Sequence, residues 1–418
     1  MTNKMILNRI LPAIDPHLRP NQNGFRPGRT TAAHILALRR IIESAKKFNL
    51  KAILVFIDFK KAFDSIHRGK MLKILQAYGI PEKLVKAIAV LYENTKAKVL
   101  SPDGETETFS ILAGVLQGDT LAPYLFAIII DYVMRSAVGG KEEALGFTLT
   151  PRKSRRVAPV KVTDLMFADD IALLTDEIDQ AQTFVNNLET EAQKVGLHIN
   201  ASKTEFMQFN QPKEESLLAK SGQSIKSTDN FKYLGAWMAN TEKDMSVRKA
   251  LAWQACHKLT KVWKSSLSRN IKIRLFVATV ETVLLYGSNT WSLTEKLTKQ
   301  LDGTYTKMLR MVRNISWKSH TTNKELYGHL PKVSIKIAER RLRLAGHCVR
   351  HPEEIASNLV LWNPTHGRAN PGGQTIDFVD QLYRDTDLTS TKELRNAMED
   401  RNVWRSYISS VRPGGRPK

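Results

Sequence analysis

The feature that most constrains the fold is a pair of apolar runs that each deliver carboxylates. Ile53 to Ile57 is continuous and rich in β-branched residues, and it stops at Asp58. Farther on, Leu165-Met166-Phe167-Ala168 and Ile171-Ala172-Leu173-Leu174 enclose Asp169 and Asp170. Short apolar runs of this kind, bounded by turn signals, fit buried strands. The second pair reads as a hairpin with two aspartates at its tip. Either feature alone is ordinary: an Asp-Asp pair is usually a solvated turn, and a strand commonly ends on a polar residue. Set side by side, the two elements would bring three carboxylates to one point.

The surrounding pattern is mixed. Residues 31–48 read as a helix with Ile35, Leu38, Ile41 and Ile42 on one face. Residues 69–78 and 81–93 read as two helices, 123–137 as a buried helix, and 178–195 as an amphipathic one. Short strands are expected near 204–209 and 231–238. Residues 1–20 carry a helical pattern that Pro12 should break. From about residue 245 the pattern is mainly helical, residues 363–374 look like a linker, and residues 412–418 read as a disordered tail.

Composition narrows the function. With 418 residues, more than one domain is expected. A formal net charge of +22 fits a polyanionic partner, most commonly a nucleic-acid backbone. Cys256 and Cys348 are the two cysteines, which excludes a disulfide framework and points to a reducing compartment. His347, Cys348, His351 and Cys256 match no zinc spacing. The run Leu121 to Val133 contains a proline and an aspartate and is too short to span a bilayer, so no membrane partner is expected.

Six segments in series resemble the reverse transcriptases of non-LTR, LINE-like retrotransposons. Asn21-Gln22-Asn23-Gly24-Phe25-Arg26-Pro27-Gly28-Arg29-Thr30-Thr31 resembles the fingers motif, and Phe56-Ile57-Asp58-Phe59-Lys60-Lys61-Ala62-Phe63-Asp64 the palm strand with the first catalytic aspartate. Gly114-Val115-Leu116-Gln117-Gly118-Asp119-Thr120-Leu121-Ala122-Pro123 resembles the turn and helix that hold template and nucleotide. Phe167-Ala168-Asp169-Asp170 resembles the catalytic hairpin, and Gly196-Leu197-His198-Ile199-Asn200 with Ser202-Lys203-Thr204 the next palm segment. Phe231-Lys232-Tyr233-Leu234-Gly235 resembles the primer grip. Each motif is weak to moderate alone; the order is what makes the resemblance strong. It is sharp over residues 1–240 and less specific beyond.

The resemblance implies an α+β right-hand polymerase: partial fingers and palm over 1–240, a helical thumb over 241–315, and a mainly helical C-terminal region over 316–418. It implies an RNA-directed DNA polymerase that adds dNTPs to a primer 3′-hydroxyl. Two Mg²⁺ ions, with Mn²⁺ as a substitute, would be held by Asp58, Asp169 and Asp170. Phe59, Phe63, Gln117, Gly118 and Lys203 would meet the nucleotide. Arg26 and Arg29 would contact template or triphosphate, and Phe231, Tyr233, Leu234 and Gly235 the primer. By the resemblance Phe63 excludes a 2′-hydroxyl and Lys203 protonates pyrophosphate; by spacing alone Phe63 reads as a core residue and Lys203 equally as a solvated lysine. Gln117 and Gly118 are expected to form a close turn against the incoming nucleotide or template, an approach that glycine permits because it lacks a Cβ. The basic stretch Pro151 to Arg156 fits RNA binding, nuclear import or, more simply, a solvated loop.

The implied partners are an RNA template and a DNA primer or target, in the nucleus and cytoplasm. An RNA-dependent RNA polymerase fits less well, because Gln117-Gly118 and Ala168 stand where such enzymes usually carry Ser/Thr-Gly and Gly. A group II intron-type enzyme differs by substrate. A non-catalytic nucleic-acid-binding relic is the alternative from another class. The chain opens inside the fingers-like motif, so the expectation is a truncated product that extends primers weakly and does not nick DNA.

Overall fold

The computed structural model describes residues 2–102, 104–212, 214, 216–369 and 376–411. The tail 412–418 and residues 370–375 of the expected linker lie outside the described residues. The chain forms two units. The first comprises Met1–Thr31, Phe48–Asp229 and Pro364–Arg368, and the second Ala32–Lys47, Asn230–Asn363 and Ala369–Lys418.

The first unit is built on a six-stranded sheet. Its strands are β1 (Ala52–Ile57), β2 (Asp164–Phe167), β3 (Asp170–Thr175), β4 (Glu205–Phe209), β5 (Ser216–Leu218) and β6 (Ser224–Ser227), in spatial order β5-β6-β4-β1-β3-β2. β1 lies in the middle, antiparallel to β3 on one side and β4 on the other. All six of its residues are buried, which is why the segment reads as an unbroken apolar run and not an alternating one. Ile53, Val55 and Ile57 pack into one core with Ile171 and Leu173 of β3 and with two helices, Ala122–Val138 and Ile178–Lys194, that lie against each other. The latter helix starts with a capping box between Glu177 and Gln180.

Pro12 does not break the first helix, which runs Thr2–Ile14. Proline here removes only the bond to the carbonyl of Asn8, an exposed residue, while Ile6, Ile10 and Ile14 stay anchored in the core. Strands β5 and β6 are an addition to the sequence reading; they are short, half-exposed and carry little pattern.

The second unit is helical around a core that includes Trp263, Phe276, Trp291, Tyr305 and Leu309. Its members include helix Thr31–Phe48, most of which belongs here and not with the sheet. Burial of this helix extends beyond its apolar stripe. Arg39 is buried and donates to Asp244 Oδ2 at 2.7 Å, which also accepts from Trp291 Nε1 at 2.8 Å. Arg40, likewise buried, pairs with Glu43 at 3.0 Å and with the Trp362 carbonyl at 2.6 Å. Buried guanidinium groups persist only when paired in this way. Among the described residues no helix is long and apolar enough to cross a membrane.

Candidate active site

Sheet register brings the aspartates together. Ile57 of β1 pairs with Ile171 of β3, so Asp58, one residue on, stands beside Asp170, one residue back. The β2–β3 hairpin closes on the pair Phe167–Asp170, leaving Ala168 and Asp169 as its two-residue turn. Ala168 has φ +60°, a left-handed value that a two-residue hairpin demands and that glycine meets at lower cost.

Two neighbouring segments fix this geometry. After β1 the backbone is clamped by the stretch around Asn200: Asp58 N–H donates to Thr204 Oγ1 at 3.1 Å, Asn200 N–H to the Asp58 carbonyl at 2.7 Å, and Lys60 N–H to the His198 carbonyl at 2.8 Å. The turn at the hairpin tip is held from behind by residues 21–24. Asn21 and Asn23 exchange backbone hydrogen bonds with Met166 at 2.9 Å, covering the free edge of β2. Gln22 is wholly buried, and its Oε1 accepts from Gly24 N–H at 2.6 Å and from Ala168 N–H at 3.2 Å. A Cβ on Gly24 would stand 2.1 Å from the Ala168 nitrogen, so only glycine fits against that turn. Sequence reasoning gave Gln22 and Thr204 no role of their own. No local signal marks Gln22, because the turn it holds, at Ala168, lies far along the chain.

The electrostatics are those of a site short of positive charge. Burial pushes the Asp170 carboxyl up to about 6, with the charges of Asp169 and Asp58 adding to the effect. Asp169 is also raised, first by burial and further by Asp58, against a lowering hydrogen bond from its own backbone. Asp58 Oδ2 is buried and has no hydrogen-bond partner. An unpaired carboxylate oxygen in that position is costly, and a hard divalent cation is the partner that suits oxygen donors. The three carboxylates therefore fit the metal site that the resemblance implies.

Beside them is an open cleft of about 450 Å³ lined by Phe59, Lys60, Lys61, Asp64, Ser65, Asn200 and Lys203. Lys203 and Phe59 thus line one cleft, and Lys60 and Lys61 add cationic groups to it. Phe63 stacks on Phe126, with ring centroids 4.5 Å apart and planes at 13°, and meets Phe25 edge-on at 6.1 Å. It is only partly buried, so one side packs on the core while the rest stays available.

The turn carrying Gln117 and Gly118 docks on this same segment. Val115 N–H donates to the Phe63 carbonyl and Gly114 N–H to that of Ile66, both at 2.8 Å. Gln117 Nε2 donates to Asp64 Oδ1 at 2.7 Å. Gly114 makes a close approach within the protein: a Cβ there would stand 2.6 Å from Asp64 Cα. Gly118 faces open space, and its φ of +85° is what calls for glycine.

Arg26 departs from expectation. It is buried, and its guanidinium is committed to Asp15 at 2.8 Å and to the carbonyls of Arg19 at 2.9 Å and Gln22 at 3.0 Å. It braces the turn and has no group left for a template. Arg29 is half-buried farther along the same turn.

The primer-grip-like residues belong to the second unit. There β7 (Lys232–Tyr233) and β8 (Ala236–Trp237) form a hairpin whose turn residues Leu234 and Gly235 both have positive φ, +46° and +79°. Leucine is strained at such an angle; its carbonyl is fixed by Tyr286 Oη at 2.7 Å, and Arg248 lies over the Tyr286 ring and donates to the Gly235 carbonyl. Tyr233 is buried and Phe231 half-buried.

Comparison with known proteins gives the family. Residues 1–238 match the family described as reverse transcriptase (RNA-dependent DNA polymerase). The chain is similar to a retrovirus-related Pol polyprotein from the type-2 retrotransposable element R2DM of Drosophila melanogaster, 26% identical over 226 residues, which are 52% of this chain and 20% of that protein. It is also similar to the RNA-directed DNA polymerase from mobile element jockey of Drosophila funebris, 24% identical over 379 residues, covering 86% of this chain and 39% of the relative. A solved structure of apo telomerase from Candida tropicalis covers 78% of this chain and 61% of its own, at 13% identity and a TM-score of 0.40. The chain spans 20% to 49% of the length of four of the curated relatives it matches, the two named here among them.

Proposed function

This chain belongs to the reverse transcriptase (RNA-dependent DNA polymerase) family, and on that premise we propose that it builds DNA on an RNA template by adding dNTPs to a primer 3′-hydroxyl. The observation that carries the proposal is the meeting of Asp58, with its unpartnered buried oxygen, and the Asp169-Asp170 turn on adjacent strands. These three residues would hold two Mg²⁺ ions, which when bound supply charge stabilisation and activation of the attacking hydroxyl. Lys60, Lys61 and Lys203 give the neighbouring cleft the sign a triphosphate needs. Asp64 fixes Gln117 and so steadies the turn that faces the nucleotide. The Leu234–Gly235 turn would seat the primer strand, and Arg29 would contact the template.

The test is extension of a DNA primer on an RNA template with Mg²⁺. Incorporation of dNTPs supports the proposal, whereas tight binding without any extension would indicate a non-catalytic relic. Sugar selection follows from Phe63. With its ring on Phe126, the remaining face is placed to close off space beside a 2′-hydroxyl. Phe63→Val is expected to raise ribonucleotide use relative to deoxyribonucleotide by about tenfold or more, one tenfold being about 1.4 kcal/mol of discrimination. An unchanged ratio would make Phe63 a packing residue only.

Binding should be electrostatic. With a net charge of +22, affinity for an RNA–DNA duplex is expected to fall roughly a thousandfold between 50 and 200 mM salt if about six phosphates are contacted. It should vary little with sequence. A salt-independent affinity would show that the charge serves something else.

A further inference from the structure

At the end of helix Val333–Arg350 in the second unit, two histidines one turn apart meet two glutamates that follow them. The His347 and His351 ring centroids are 4.2 Å apart. His351 Nδ1 lies 2.9 Å from Glu353 Oε1, and His347 Nε2 lies 3.6 Å from Glu354 Oε1. Donor atoms of His351, Glu353 and Glu354 all fall within 4.8 Å of one another. We propose that His347, His351, Glu353 and Glu354 form a binding site for one divalent transition-metal ion of the zinc class.

Three observations support a metal over a pair of ordinary ion pairs. His347 Nε2 is shut off from solvent and makes no hydrogen bond, its distance to Glu354 being too long for one. The Glu354 side chain is only 1% exposed, which puts a carboxylate in the interior next to the His347 ring. The donors are also near one another: one atom each from His351, Glu353 and Glu354 lies within 4.8 Å of the others, and His347 Nε2 lies 3.6 Å from Glu354 Oε1. Two imidazoles with two carboxylates suit Zn²⁺, whereas Mg²⁺ prefers oxygen alone. A search for Cys and His spacing misses the site because half of its donors are carboxylates. Cys348 and Cys256 are not part of it. Cys256 is buried in the helical core, 3.7 Å from the sulfur of Met311.

The experiment uses the full chain, stripped with chelator and given Zn²⁺ with Mg²⁺ in excess. Zinc retained after gel filtration is measured by mass spectrometry. The parent should retain about one ion per chain, and so should Asp169→Asn, which separates this site from the palm carboxylates. His351→Ala, at a half-exposed position chosen to spare the fold, should lose the ion while keeping its far-UV circular dichroism. Glu353→Gln, at an exposed position, should weaken retention. A parent that retains no zinc, or a His351→Ala chain that retains as much as the parent, overturns the proposal.

Discussion

Replacing Gly24 with alanine is expected to slow primer extension by about a hundredfold, the cost typical of displacing reacting groups by around 1 Å. Template–primer affinity should stay close to that of the parent. The reason is backbone contact. A Cβ at position 24 would stand 2.1 Å from the Ala168 nitrogen and 2.9 Å from both Ala168 Cα and the Phe167 carbonyl carbon. No side chain can swing aside to relieve that overlap, so one of the two backbones must move. The segment at Gly24 is tied by Gln22 Oε1 to the turn itself, and by Asn21 and Asn23 to Met166. The displacement therefore passes to Asp169 and Asp170. Core packing of β1 and β3 lies away from the contact, so far-UV circular dichroism should be unchanged. Single-nucleotide incorporation and duplex binding, measured together, decide the matter. Parental incorporation would show that residues 21–24 do not set the hairpin.

Much of this site was legible because its parts are local. A central strand covered on both faces must be apolar throughout, which made Ile53–Ile57 and its end at Asp58 visible. The hairpin was visible for the same reason, and helix Ile178–Lys194 by its periodic apolar face. What escaped is set by distant partners. Arg26 reads as a surface cation until Asp15 and two carbonyls are found around it. Gln22 has no pattern that marks it, yet its one oxygen serves both halves of the turn contact. Helix Thr31–Phe48 was correctly read as a helix, but its stripe of apolar residues did not reveal that Arg39 and Arg40 are buried too. Gly118 has open space around it and a φ of +85°, so a positive backbone angle is a second reason for glycine there that the sequence did not show.

The central claim is that Asp58, Asp169 and Asp170 hold the catalytic ions, and one comparison tests it most directly: the rate of single-dNTP addition by Asp169→Ala beside the parent, on an RNA template with a DNA primer in Mg²⁺. Asp169 sits in the hairpin turn, and its charge adds to the burial that pushes Asp170 up to about 6. Removing it takes away its own repulsion with Asp58 and Asp170, so no stability penalty is expected from the charge change. What is lost is a ligand. The Asp169→Ala rate is expected to fall on the order of a thousandfold or more, equivalent to about 4 kcal/mol at 1.36 kcal/mol per tenfold. Template–primer affinity, which rests on phosphate contacts elsewhere on the chain, should change by less than about twofold. A rate within about tenfold of the parent would contradict the assignment of these carboxylates as the metal site.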